Sequence, residues 1–407
     1  MPLALDSIAT AKDDDGIHVA ASSPADADTV SMDTMAMELM PSTDVSAAEI
    51  TTGSDTDNSA AELLLDEIRQ LQGQVPPEDI PESRENRRER NLKIVELAAR
   101  VLELTIADGT QVESFQEGIV QLLEARLQLA LAGGDEEVHQ LYADVQSLND
   151  RSPVSPEAAE GIYCLARFAH LKARLEAGQN TVWLESFSRW AREFADRFPQ
   201  QKSRSVALLF GAGRSCELHG LVAQSNNEIQ RLMTEARLCY TSLVTTFPDA
   251  PETVDAAAVL RRLELPGKPL TQFSGPTATG GYITADDFRD RVTVVYFWDS
   301  TNEEFLQLLL PLLHQAEDVA NNQLRFVGVN VDADPAECKT CLAARRLPGD
   351  HILFTDSDKV GWNSPLVKFW GITRVARVWL IDRKGTVHAV DVRHDQLVTR
   401  MRQLFRS

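Results

Sequence analysis

Cys338-Lys339-Thr340-Cys341 is the one place in the 407-residue chain where two cysteines stand three apart. On a helix that spacing puts both thiols on one side of a turn. A thiolate close to a helix start, beside Lys339 and with Arg345 and Arg346 further on, has ingredients of a low-pKa dithiol that exchanges disulfides. Two other readings of the pair stay open. Two semi-buried helix cysteines can simply pack as small apolar groups. A metal site would need two more ligands, and His351 is the only imidazole nearby in sequence. Cys164, Cys216 and Cys239 stand singly in helical segments and read as small apolar residues.

Other clusters carry weaker chemistry. Met32, Met35, Met37 and Met40 lack the His or Cys that usually completes a soft-metal site, so they read as a weak local helix. Gly211–Arg214 (GAGR) has no strand before it and no Gly-Lys-Ser/Thr after it, so it is not a phosphate loop. Asp356, Asp358 and Asp382 fit exposed turns and have no EF-hand spacing. Trp298, Trp362, Trp370 and Trp379 read as packing residues of a strand-rich core. No cofactor and no metal are expected.

Acidic residues outnumber basic ones 61 to 40, a formal net charge of -21. That balance excludes nonspecific nucleic-acid and anionic-membrane binding, which need a basic surface. No apolar run reaches the ~18 residues that span a bilayer. Met1–Ala9 lacks a basic segment followed by a long apolar one, so no secretory signal is visible and the compartment stays open. Five cysteines are too sparse for a disulfide framework.

The elements that would position these residues fall into three regions. Residues 1–60 are rich in Asp, Ser, Thr and Ala, hold no Phe, Trp or Tyr, and read as a disordered acidic tail. Residues 61–264 read as helix after helix: 61–71, 84–108, 111–131, 136–148, 156–177, 181–198, 203–218 and 226–247. Three prolines in 75–81 break the first from the second. The run Arg84, Glu85, Arg87, Arg88, Glu89, Arg90 mixes signs and reads as a solvated helix face. A faint repeat links Trp190, Ala191, Phe194, Ala195, Phe198-Pro199 to Ala236, Cys239, Tyr240, Leu243, Phe247-Pro248, about 50 residues later. An apolar helix closing in Phe-Pro resembles the second helix of a tetratricopeptide-type hairpin. Stacked hairpins of that kind share buried faces and leave a concave surface for a protein partner. Residues 251–264 (Pro251, Glu252, then an apolar-rich helix through Leu263) read as a connector, and Pro266-Gly267 as its stop.

After Pro266 the pattern turns to strands. The stretches 292–298 (VTVVYFW) and 324–331 (LRFVGVNV) are continuous apolar runs, as expected of strands buried on both faces. Helices are expected at 303–320, 336–346 and 394–405, and strands at 352–354, 375–381 and 386–392. Asp382-Arg383-Lys384-Gly385 is a hairpin turn. Gly267-Lys268-Pro269-Leu270 with Phe273, the stretch 280–295 (GGYITADDFRDRVTVV), Phe297-Trp298, Trp370-Gly371-Ile372 and Trp379–Gly385 (WLIDRKG) together resemble the TlpA/ResA group (AhpC/TSA-Redoxin related) of the thioredoxin-like superfamily. The resemblance covers residues 265–407 and implies an α/β thioredoxin fold for them. The expected whole is multidomain: acidic tail, all-α middle, α/β end.

The resemblance also shows what has changed. Asn302 and Phe305 stand where that group has its two redox cysteines, and Ala376 stands where it has a cis-proline facing them. Asn302 offers no ionisable nucleophile but is a good helix N-cap, with Glu303 and Glu304 favourable in the first turn. The expected function is therefore a protein-interaction or scaffold module without the standard dithiol. Its protein partners would bind the helical region or the thioredoxin-like surface. The alternative is a thiol–disulfide oxidoreductase that uses the displaced pair Cys338/Cys341.

Overall fold

The computed structural model describes residues 60–73, 83–106, 111–176, 180–320 and 323–406. The acidic tail with its methionine cluster and amino-terminal stretch, and the prolines of 75–81, lie outside these residues.

Amphipathic periodicity produces a helix in each expected place: α1 (Ala60–Gly73), α2 (Arg84–Thr105), α3 (Val112–Ala132), α4 (Asp135–Arg151), α5 (Pro156–Leu175), α6 (Val182–Arg197), α7 (Lys202–Val222), α8 (Asn226–Thr246) and α9 (Glu252–Leu263). Ser83 and Ser155 cap α2 and α5 by accepting the backbone N–H groups of Asn86 and Ala158. Each helix packs on its neighbour in the chain. In addition α1 packs on α3, α3 on α5, α6 on α8 and α7 on α9. No helix among the described residues is long and apolar enough to cross a membrane.

The Phe-Pro repeat is a repeat of geometry. Phe198 and Phe247 end α6 and α8 with φ −127° and ψ 52° and 57°, and their N–H groups donate to Phe194 and Leu243 carbonyls. The carbonyls of Phe198 and Phe247 themselves accept hydroxyls from the segment that follows, Ser205 Oγ at 3.4 Å and Thr253 Oγ1 at 2.7 Å. The connector helix read at 251–264 is α9, and its Ala256, Val259 and Leu263 belong to the same apolar core as α5–α8.

The remaining residues build a five-stranded mixed sheet from β3 (Val292–Trp298), β4 (Leu324–Asn330), β5 (Asp350–Ile352), β6 (Arg377–Ile381) and β7 (Val387–Ala389), ordered β5-β4-β3-β6-β7. β3, β4 and β5 run parallel, and β6 and β7 antiparallel. A small hairpin, β1 (Gly275–Pro276) with β2 (Tyr282–Ile283), lies beside β5 through a Thr277–Ile352 bridge. All seven residues of β3 are buried. Val292, Val294, Tyr296 and Trp298 face the layer shared with α10 (Leu310–Ala320), α11 (Pro335–Ala344) and α13 (His394–Arg406). Val295 and Phe297 face the layer of Phe273, Phe288 and α12 (Pro365–Phe369). Burial on both sides explains the unbroken apolar run.

Several boundaries differ from expectation for physical reasons. The strand expected at 375–381 starts at Arg377 because Ala376 has φ 62°, and the one expected at 386–392 ends at Ala389, shortly before Asp391 with φ 52°. Neither conformation extends a strand. The short strand expected at 352–354 lies at Asp350–Ile352, paired with β4. The helix expected from 303 opens as a π-helical turn, Glu304–Leu309, before α10.

Candidate functional site

β3 and β4 are parallel, so the loops that follow them emerge at one edge of the sheet. Asp332 ties these loops together. Its Oδ1 accepts from Ser300 N at 2.8 Å and Ser300 Oγ at 2.9 Å, and its Oδ2 accepts from Asn330 Nδ2 at 2.7 Å. Next along the chain, Asn302 Oδ1 accepts from Phe305 N at 2.8 Å, which satisfies one of the free N–H groups of the helix start. Phe305 is fully buried and stacks on Tyr296 (centroids 5.9 Å apart) and on Trp298 (5.3 Å). The two positions thus hold a cap and a core anchor, neither of them a nucleophile.

Cys338 and Cys341 lie on α11, which Pro335 begins and Asp334 caps. Both face inward, into the apolar layer that also holds Phe305. Burial pushes the Cys338 thiol up to about 12, Asp332 adds to the shift, and Lys339 opposes it only weakly. Burial also raises Cys341. Desolvation of the thiolate thus outweighs the one nearby ammonium. His351 does not join the pair. It packs edge-on to Trp298 and Tyr296, and burial lowers its pKa to about 4. Among the described residues no group of three or more His, Cys, Asp or Glu side chains is placed to hold a metal. Cys164, Cys216 and Cys239 are buried in the helical cores. Trp298, Trp370 and Trp379 are buried too, whereas Trp362 is 44% exposed.

Ala376 sits beside this rim, with its N–H on the Phe297 carbonyl at 3.0 Å. The next residue, Arg377, leads into a cluster that sequence reasoning missed. Arg377 and Asp391 from the sheet portion meet Glu217 of α7 and Arg262 of α9, all with side chains 0–7% exposed. Arg377 Nη1 lies 3.0 Å from Asp391 Oδ1, and Arg377 Nη2 lies 3.4 Å from Glu217 Oε1. Arg262 pairs with Glu217 and lies 3.3 Å from Asp391. It also donates to the Trp370 and Gly371 carbonyls. Tyr240 Oη donates to Glu217 Oε2 at 3.2 Å. Two guanidiniums and two carboxylates balance in charge, which is what permits their burial. A further contact, Arg393 to the Ala223 carbonyl at 2.5 Å and Gln224 at 2.9 Å, joins the same two portions. The available signal was Arg377 itself, a charge inside the otherwise apolar run VARVWLI.

A cleft of about 380 Å³ opens beside this cluster, lined by Leu221 and Gln224 on one side and Glu304, Arg374, Ala376 and His394 on the other. Arg374 pairs with Glu304 at 3.0 Å, and His394 Nε2 lies 3.7 Å from the same carboxylate. The C-terminal end of α7 therefore stands directly against the surface around Ala376.

Residues 290–387 match the model of a thioredoxin-like family. Similar solved structures include the thioredoxin domain of a thiol-disulfide oxidoreductase from Bacteroides vulgatus, 17% identical over 34% of this chain and 96% of that one, with a TM-score of 0.30. A thiol-disulfide oxidoreductase from Bacteroides fragilis is 22% identical over 34% and 99%, with a TM-score of 0.30. A secreted Mycobacterium tuberculosis disulfide oxidoreductase homologous to E. coli DsbE is 22% identical over 33% and 97%, with a TM-score of 0.27. No curated protein matches the chain. The C-terminal portion is a thioredoxin-like domain, and a helical region precedes it.

Proposed function

We infer that this chain is a protein-interaction module in which a thioredoxin-like domain serves as a rigid platform and carries out no thiol–disulfide exchange. The observation that carries this reading is the Asn302–Phe305 pair. Asn302 Oδ1 caps the helix and Phe305 fills the core between Tyr296 and Trp298, so the positions of the standard dithiol serve packing. Two observations support it. Cys338 is sealed in the apolar layer with its thiol pushed up to about 12, which leaves almost no thiolate at neutral pH. The surface around Ala376, which would take a disulfide substrate, is flanked by the chain's own α7. Partner binding then falls to the tetratricopeptide-like helical stack and to the exposed rim of the domain, where Trp362 presents an aromatic face.

The test is insulin reduction by dithiothreitol with catalytic amounts of protein. The reading expects the rate to match the protein-free control, and to stay there for Cys338→Ser with Cys341→Ser. Turnover that the double substitution removes would instead establish the displaced pair as a redox centre.

A further inference from the structure

Between α8 and the β7–α13 edge lies a second interdomain cleft of about 460 Å³, within the size range of small-molecule sites. Its floor is apolar: Ile229 and Met233 come from α8, Leu263 from α9, and Val390 and Val392 from the segment after β7. Two guanidiniums enter it from opposite portions, Arg237 from α8 and Arg400 from α13. Their hydrogen bonds go to neutral oxygens, Arg237 to the Leu263 carbonyl at 3.3 Å and Arg400 to Gln396 Oε1 at 3.1 Å. The carboxylate lining the cleft, Asp391, is held by Arg262 and Arg377. Arg393, also in the lining, is paired with Asp395 at 2.7 Å. A recess of about 360 Å³ continues the cleft past Asn226, His388 and Arg400.

In a chain of net charge -21, this places two cations without carboxylate partners, among the described residues, over an apolar floor. Half-buried guanidiniums favour carboxylate and phosphate oxygens, and the floor favours an aliphatic or aromatic body. We propose that this cleft binds a small amphipathic organic anion, with its head group between Arg237 and Arg400 and its apolar part against Ile229, Met233 and Val392. The walls come from both portions of the chain, so bound ligand braces the interface and raises stability by mass action.

The test uses the full chain and three probes at submillimolar concentration: decanoate, decyl phosphate and inorganic phosphate. Isothermal titration and thermal unfolding are read in parallel. The proposal expects at least one decyl anion to bind and raise Tm, with the tighter of the two identifying the head group, and inorganic phosphate to do neither. Arg237→Gln with Arg400→Gln should weaken binding about tenfold or more. Asn226→Glu, an exposed change at the first turn of α8, should weaken it by placing a like charge at the rim and leaves the core untouched. Binding unaffected by both changes, or no binding of either decyl anion, overturns the proposal.

Discussion

Arg377 Nη2 lies 3.4 Å from Glu217 Oε1, across the boundary between the sheet and α7. Glu217 is 2% exposed and receives Arg262 and Tyr240 as well, so a single carboxylate neutralises charges from both portions of the chain. Arg377 directly follows Ala376 in the chain. The surface around Ala376 is thereby held against a helix of the same chain.

Removing that carboxylate should be costly. Glu217→Ala leaves two buried guanidiniums with Asp391 alone and is expected to destabilise the fold by about 3–5 kcal/mol. Urea unfolding of the full chain, read by tryptophan fluorescence, checks this. A loss below about 1 kcal/mol, the level of an exposed ion pair, would show that the cluster is solvated.

Gly371 should tolerate no side chain. Its φ is 57°, and a Cβ there would stand 2.7 Å from Val259 N on α9. Gly371→Ala combines left-handed strain with a backbone clash and should cost about 1–3 kcal/mol. Gly280, also at positive φ (88°) but with open space around it, is the control. Gly280→Ala bears the strain without the clash, so the difference between the two unfolding midpoints measures the interface contact.

Stability should fall on mild acidification. Burial lowers His351 and His170 to about 4, below the ordinary value of 6.5. The unfolded chain then binds more protons than the folded one between these values. Each histidine's contribution is intact above about pH 6.5, is lost progressively as the pH falls to about 4, and amounts to about 3 kcal/mol. His351→Phe should flatten its share of the slope in a pH series of urea midpoints. Identical slopes for the two proteins would place a solvated imidazole at 351.

The elements were largely legible in the sequence because apolar periodicity is local. VTVVYFW became β3, the helical segments became α1–α9, and Asp382–Gly385 became a turn with Gly385 at φ 78°. Asn302 was legible as a cap because its role depends only on the three residues after it. For Cys338 the sequence left packing, redox and metal readings open, since spacing and Lys339 are visible in sequence but burial depends on which face of α11 meets β3. The Glu217–Arg262–Arg377–Asp391 cluster was the hardest to foresee. Its members are up to 174 residues apart in the chain, from 217 to 391, and no local pattern pairs them. The left-handed backbone at Ala376 and Asp391, which shortened β6 and β7, belongs to that same interface.

A thioredoxin-like domain inert toward disulfides must keep Cys338 and Cys341 as free thiols, and their redox state can be read directly. Folded protein is equilibrated in glutathione buffers spanning about −300 to −150 mV, acid-quenched, and alkylated in denaturant for mass spectrometry. Two free thiols are expected on the 338–341 peptide at every potential, with labelling of Cys338 that becomes fast only when the protein is unfolded. A Cys338–Cys341 disulfide that forms and reverses with a defined midpoint, or rapid native labelling of Cys338 near neutral pH, would contradict this expectation.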